Sequence, residues 1–384
     1  MKIKQKIALI VLFFVAIPQI DFAQGGGYTS VPFLLLSPDS RAGGMGETGG
    51  GLADDASAVF WNPAGLAFTT GSEVQLTHSN WLPQLNLDLF YDFLAYRQYI
   101  EEIGGSVSAS IVYMNFGEFF RTGEGGPEIL GTFRAFDASA TIGYATKATE
   151  DLGIGFNFRI IHSRLADQAT GQEKGSGVAT SVSFDAATMW RPKTIFGMFE
   201  DSFSLGINIS NLGPKMYYID QAQADPIPTN FRLGTAFRVW EDDFNSLTLT
   251  ADFTKLLIAV DTVTNEKSEF YEAIFTSWAD EEISTEFRQI VSSIGMEYWY
   301  GDPNDFQFAV RSGFFYEDPD FGNRKFATFG AGLKYDIYNF DFSYISSSLA
   351  GAEESHPLSG TLRFTLGAKW GEQNRSVKGL PRGI

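Results

Sequence analysis

The residues able to do acid–base or nucleophilic chemistry are few in this chain. It has three histidines, His78, His162 and His356. His78 is followed by Ser79 and His162 by Ser163, which suggests hydrolysis, a reaction needing a nucleophile, a base and an orienting acid within reach of one another. Chain neighbours on a strand project to opposite faces, so neither adjacency makes a pair. Cysteine is absent, which removes thiolate nucleophiles, disulfides and sulfur metal sites together. Carboxylates are plentiful, yet none shows the spacing of a calcium loop. The glycine-rich stretch Ser37–Phe68 has neither a preceding strand nor a following Gly-Lys-Ser or Gly-Lys-Thr, so it does not read as a phosphate loop. These residues predict no enzyme, no cofactor and no metal. A net charge of −18 argues against nucleic acid, whose phosphates require a basic surface.

The elements around these residues point elsewhere. Lys2, Lys4 and Lys6 precede an apolar run from Ile7 to Ile17, ended by Pro18, with Ala23 ahead of Gln24; this is the pattern of a secretory signal peptide over residues 1–23. The run is too short for a spanning helix, and no later stretch reaches the roughly 20 apolar residues that one needs. A mean hydropathy of −0.07 is uninformative, because strands with one apolar and one polar face average to zero.

Period-two alternation is the dominant signal. In Thr361–Trp370, Leu362, Phe364, Leu366, Ala368 and Trp370 share one face, opposite Thr361, Arg363, Thr365, Gly367 and Lys369. Asn230–Val239 and Ser246–Phe253 repeat the pattern. Similar segments occur at 74–80, 87–99, 106–119, 134–146, 152–165, 178–190, 203–213, 291–300, 306–316, 326–337 and 339–347, about fourteen strands in all. Most have the roughly 9 to 11 residues that cross a bilayer. Short polar connections (Glu101–Gly104, Lys147–Asp151, Glu241–Asn245, Asp302–Asp305) alternate with long ones (Arg121–Phe133, Ala166–Gly177, Pro214–Ile227, Ile258–Ile290, Leu349–His356), as periplasmic turns alternate with surface loops. One expected turn, Lys193–Ser202, carries Ile195, Phe196, Met198 and Phe199 and reads as a membrane-interface segment. The expected fold is all-β: a transmembrane antiparallel barrel over residues 73–370, with an N-terminal plug segment at 24–72 and a tail at 371–384. A soluble β-sandwich would not need so many aromatic-ended strands with basic residues on the small, polar face. Arg159, Arg232, Arg311, Arg363, Lys334, Lys369, Asp252 and Asp336 are expected to point into the lumen, paired with one another or with the plug. Within the plug segment, Ala53–Phe60 could form a short helix.

Asn62, Pro63 and Ala64 in FWNPAGLAF resemble the N-terminal signature of FadL-type outer-membrane barrels, and SRAGGMG at Ser40–Gly46 narrows the resemblance to the PorV and PorQ branch. LGINISNLGPKMYY at Leu205–Tyr218, PTNFRLGTAF at Pro228–Phe237, LTADFTKLL at Leu249–Leu257, GMEYWY at Gly295–Tyr300, the stretch Phe308–Asp336 and HPLSGTLRFTL at His356–Leu366 resemble the PorV family, in order along most of the mature chain. Arg41, Trp61, Asn62 and Pro63 carry the plug motif. The resemblance implies an outer-membrane component of type IX protein secretion. Its implied partners are a giant outer-membrane translocon (SprA/Sov type), cargo C-terminal sorting domains, a sortase-like attachment complex, and outer-membrane lipids with lipopolysaccharide. Partner contacts are expected on the long loops. Phe270, Ile274 and Trp278 recur at four-residue spacing in a short amphipathic helix, with Tyr271 and Phe275 alongside; Met216, Tyr217 and Tyr218 form a second aromatic candidate. A FadL-like channel for hydrophobic compounds is the rival reading.

Overall fold

The computed structural model describes residues 29–371, apart from 124–125, 167–176, 196, 198, 221–222, 260–266, 304 and 348–356. The expected signal peptide, the tail beyond Gly371, and His356 lie outside the described residues.

Alternation becomes a wall. The strands are β1 (Ser72–Asn80), β2 (Phe90–Ile100), β3 (Gly105–Gly123), β4 (Gly126–Lys147), β5 (Leu152–Arg164), β6 (Val178–Trp190), β7 (Thr194–Ile195), β8 (Phe199–Glu200), β9 (Phe203–Leu212), β10 (Asn230–Glu241), β11 (Asn245–Leu256), β12 (Val291–Gly301), β13 (Phe306–Tyr316), β14 (Lys325–Tyr335), β15 (Tyr338–Ser346) and β16 (Leu362–Trp370). All but the β7–β8 hairpin form one closed antiparallel barrel of fourteen strands, each paired with its neighbours in chain order. β1 closes the ring on β16 in continuous register from Ser72↔Trp370 to Ser79↔Arg363. Closure leaves no free sheet edge along that seam, which is the condition for strands in hydrocarbon.

The two faces separate as the alternation requires. Leu76, Leu94, Ile111, Ile142, Phe156, Val182, Leu333 and Leu366 are exposed on the outer wall, whereas Thr77, Ser110, Thr141, Asp252, Arg311 and Thr365 are buried inside. Aromatic rings cluster at both ends. Near the short turns, Tyr96 lies 6.4 Å from Trp370, Trp190 6.2 Å from Phe203 and Trp240 6.2 Å from Tyr298. Near the long loops, His78, Phe90, Tyr113, Phe136 and His162 run ring to ring at 5.5–6.1 Å across β1 to β5. Such belts mark the two interfaces of a membrane.

Three details differ from the sequence reading, and one expected interfacial segment gains a structure. Arg121–Phe133, expected as a loop, is mostly strand: β3 and β4 run past the wall as one hairpin, with Phe119 stacked on Phe133 at 5.6 Å and Gly117 taking the bulge at φ 86°. The helix expected over Ala53–Phe60 starts only at Ala58, since Ala53 is left-handed at φ 28° and Asp55 ties up the Ser57 backbone N–H at 2.9 Å. Asp336 does not enter the lumen; it is exposed in the tight turn between β14 and β15 at φ 53°. Lys193–Ser202 holds the β7–β8 hairpin, whose Phe199 packs edge-on against Phe237 on the outer wall at 5.2 Å.

Residues 29–71 thread the barrel interior. Two one-turn helices, α1 (Ser40–Gly43) and α2 (Ala58–Trp61), and a 3-10 turn (Pro63–Phe68) are linked by glycine-rich chain. Its contacts reach walls on every side: the Ser40 hydroxyl accepts from Thr365 at 2.9 Å, Gly46 N–H donates to Thr328 at 2.7 Å, Asn157 donates to the Val59 carbonyl at 2.7 Å, and Ser106 donates to the Leu66 carbonyl at 2.8 Å. Glycine is required where segment and wall touch backbone to backbone. A methyl at Gly313 would lie 2.1 Å from Gly46 N, and one at Gly51 2.3 Å from the Thr235 carbonyl carbon. Gly46 also takes a left-handed φ of 72°.

Candidate functional site

The expected lumenal charges come together, and their partners are largely acids the sequence reading did not single out. The Arg41 guanidinium forks onto Glu297 at 2.8 and 2.9 Å and reaches Asp54 at 2.6 Å and Asp55 at 3.1 Å. Glu297 also accepts from Arg311 at 2.7 Å, and Arg311 continues to Asp341 at 2.6 Å. Lys334 sits 4.1 Å over the Trp299 ring, on which Arg311 also packs. Arg363 pairs with Glu47 at 2.9 Å, Arg232 with Asp252 at 3.0 Å, and Arg159 with Asp185 at 2.9 Å. Bidentate arginine–carboxylate geometry is the strong form of such contacts, and buried charges are tolerable only when paired this way.

The motif residues supply the segment's half of this network. The Trp61 indole N–H donates to Asp39 at 2.6 Å, and its ring lies 4.7 Å under Arg232. Asp39 caps α1 by accepting from Ala42 N–H at 2.9 Å. Asn62 donates to the Thr188 carbonyl of β6 at 3.0 Å and accepts from Ala64 N–H, while Pro63 opens the 3-10 turn where no N–H is needed.

The second feature is a cap at the long-loop end. The expected helix is α3 (Phe270–Thr276); a second, α4 (Ile283–Arg288), was not anticipated because six residues give too short a period to read. The cap lies on the outside of the wall. Lys255, on the outer face of β11 opposite Phe231, is 1 % exposed, pairs with Glu286 of α4 at 2.7 Å and sits 5.5 Å from the Trp278 ring. Trp278 in turn packs edge-on against Phe231 at 5.4 Å. Of the expected stripe, Phe270 and Ile274 are half-buried and Trp278 is 40 % exposed. The open apolar face is instead Tyr271, Phe275, Ile283 and Phe287; Phe275 and Ile283 are each 76 % exposed. Met216 is buried and bridged to Asp225, Tyr217 is half exposed, and the Tyr218 hydroxyl donates to Ser163 at 2.8 Å.

Burial, followed by the neighbouring Glu286 carboxyl, lifts Asp280 from 3.8 to about 6. A carboxyl with a raised folded value contributes stability present at low pH and lost as pH rises through that value. The cap is therefore expected to be tightest below pH ~4 and to loosen as pH passes ~6. Proteolysis between residues 269 and 290 should be faster at pH 8 than at pH 5, and Asp280→Asn should remove that difference.

His78 and His162 sit in the outer aromatic row. His78 Nδ1 meets Asp92 at 2.7 Å and His162 Nδ1 meets Thr180 at 2.9 Å, while Ser79 and Ser163 are buried on the lumen side. The structure does not bring either histidine to its neighbouring serine.

A closed fourteen-strand antiparallel wall, apolar outside, polar within and belted by aromatic rings, defines an outer-membrane β-barrel. Among solved structures, the barrel is similar to the Pseudomonas putida toluene transporter TodX (TM-score 0.50, 11 % identity, 88 % of this chain and 100 % of that one) and to the deltaS2S3 mutant of the TodX monoaromatic hydrocarbon channel (0.51, 12 %, 86 % and 97 %). At such identities the likeness is one of fold. No curated protein matches the chain. The sequence profile of the family described as Type IX secretion system protein PorV matches residues 24–263, and the chain belongs to that family.

Proposed function

We propose that this barrel serves type IX secretion by binding the giant outer-membrane translocon and the C-terminal sorting domains of cargo, and by passing cargo to the sortase-like attachment complex. Membership of the PorV family carries this reading. Two features of the molecule support it. Residues 29–71, acting as a plug, occupy the lumen and are tied to the wall by the Arg41–Glu297 and Arg363–Glu47 ion pairs and by Arg232 packed on the Trp61 ring, so a polypeptide's route lies beside the barrel. The cap also presents Tyr271, Phe275, Ile283 and Phe287 outward, at the level where a neighbouring membrane protein or outer-leaflet lipid would meet it. Removal of the protein should leave cargo with intact sorting domains in the periplasm, and restoring the chain should return it to the surface. Cargo that reaches the surface normally without the protein would sink the proposal.

One observation favours a channel for hydrophobic compounds: an apolar cluster of Phe33, Leu34, Val59, Tyr91, Phe93, Val112 and Met114 fills the lumen toward the long loops. A lipid or detergent retained there by the purified barrel would support that reading.

A further inference from the structure

The ladder between β6 and β9 breaks off while β6 continues, and the residues that break it are specific. β6 pairs with β9 from Trp190↔Leu205 to Phe184↔Leu212, with a register shift between Phe184 and Ala186. At that shift Asn211 turns left-handed, φ 61°, and gives its backbone N–H to the Asp185 carboxylate at 2.8 Å. Asp185 is held for this by Arg159 and by Asn157 at 2.8 Å. Gly213 and Pro214 follow; proline has no N–H to continue a ladder. The chain then leaves the wall for the barrel mouth, where Met216 and Ile227 join the lumenal apolar cluster. β6 meanwhile continues from Ser183 to Val178, paired on its β5 side throughout. On the other side, none of these six residues has a backbone hydrogen bond among the described residues.

The edge faces outward at a defined level of the wall. A methyl at Gly213 would lie 2.2 Å from the Val182 carbonyl oxygen, so that carbonyl points out of the sheet toward the departing chain. In an antiparallel strand both backbone groups of a residue point the same way, and residues two apart share a side. The N–H and C=O of Thr180 and Val178 therefore face the gap too. The edge lies at the outer interface, because the aromatic row of β1 to β5 ends at His162, which bonds Thr180. At this level its donors and acceptors meet headgroups and water rather than a ladder partner, and so stay available to a pairing strand. The edge also lacks the usual protection: Val178–Phe184 reads VATSVSF, with no charge and no proline.

We infer that the β6 edge between Val178 and Ser181, beyond the point where Gly213 covers the Val182 carbonyl, is a strand-addition site that receives a short, extended, uncharged segment of an exported polypeptide, roughly 13 Å of pairing for four residues. The added strand continues the ladder past Gly213, with alternate side chains toward lipid beside Val178 and Thr180. The source of the segment rests on the secretion reading above; the edge itself does not.

The test uses the full-length protein in its own outer membrane. The native chain has no cysteine, so a benzophenone attached at Thr180→Cys reports only on this edge, and Leu366→Cys, on the outer face of a fully paired strand, is the control. Illumination should join exported chains to position 180 and not to position 366. In parallel, Thr180→Pro removes an N–H that has no ladder partner, so barrel abundance and heat-modifiable migration should be unchanged. Surface cargo should fall roughly fivefold, whereas Thr180→Ala should leave it intact. Adducts only with lipid or only with a second copy of this chain would overturn the inference, as would normal export by Thr180→Pro. Such results in cells whose export still depends on the protein would leave the secretion reading standing; export independent of the protein would remove both.

Discussion

Replacing Arg41 with alanine should free the lumenal segment from its wall. The substitution leaves Glu297, Asp54 and Asp55 short of their shared cation in a site where Arg41 is 11 % exposed and Glu297 and Asp54 2 % each. Stranding buried carboxylates in this way costs about 3–5 kcal/mol. Arg311 still holds one side of Glu297, so the barrel itself should assemble. The expected readout is cleavage by added protease within residues 29–71 and a lower unfolding temperature in outer-membrane fractions. Arg41→Lys should recover only part of the loss, because a single ammonium cannot fork onto Glu297 while also reaching Asp54. Protection equal to the native protein would show that packing against the glycine-lined wall holds the segment without this network.

The second large effect is expected at the cap. Phe275→Asp combined with Phe287→Asp places two charges on its open face without touching the contacts that hold it to the wall. If a partner covers that face, losing two apolar side chains from an interface should weaken co-purification of the translocon by roughly a hundredfold. Barrel abundance should not change. The same substitutions at Phe270 and Trp278 should act differently: Trp278 packs on Phe231 and shields Lys255, so charging it should loosen the cap itself. Undiminished co-purification by the Phe275/Phe287 double variant, with export intact, would assign the face to outer-leaflet lipid.

These contrasts show where the sequence was legible. Alternation in Thr361–Trp370 placed Arg363 inward and Leu366 outward without knowledge of any neighbour, because a strand's side-chain period depends only on the backbone. Arg159, Arg232 and Arg311 were legible for the same reason. Their partners were not: Glu47, Asp185 and Glu297 meet their arginines across 316, 26 and 14 residues of chain, distances that only closure and register determine. The cap shows a different limit. Phe270, Ile274 and Trp278 recur at helical spacing, but so do Tyr271 and Phe275, and periodicity cannot say which stripe the wall covers. The β3–β4 hairpin was missed because its glycines and polar residues resemble a loop, although Phe119 and Phe133 pair across it as in any ladder. The break at Asn211 was visible only as a family motif; its cause, a backbone N–H captured by Asp185, is tertiary.

The central claim is that this barrel works by holding other proteins at its rim. Affinity capture of the tagged, full-length protein from native outer membranes, followed by mass spectrometry, tests it most directly. A very large outer-membrane protein should be recovered with it, together with cargo whose sorting domains are uncleaved. A barrel recovered without either, carrying a hydrophobic compound in its lumen, would contradict that claim.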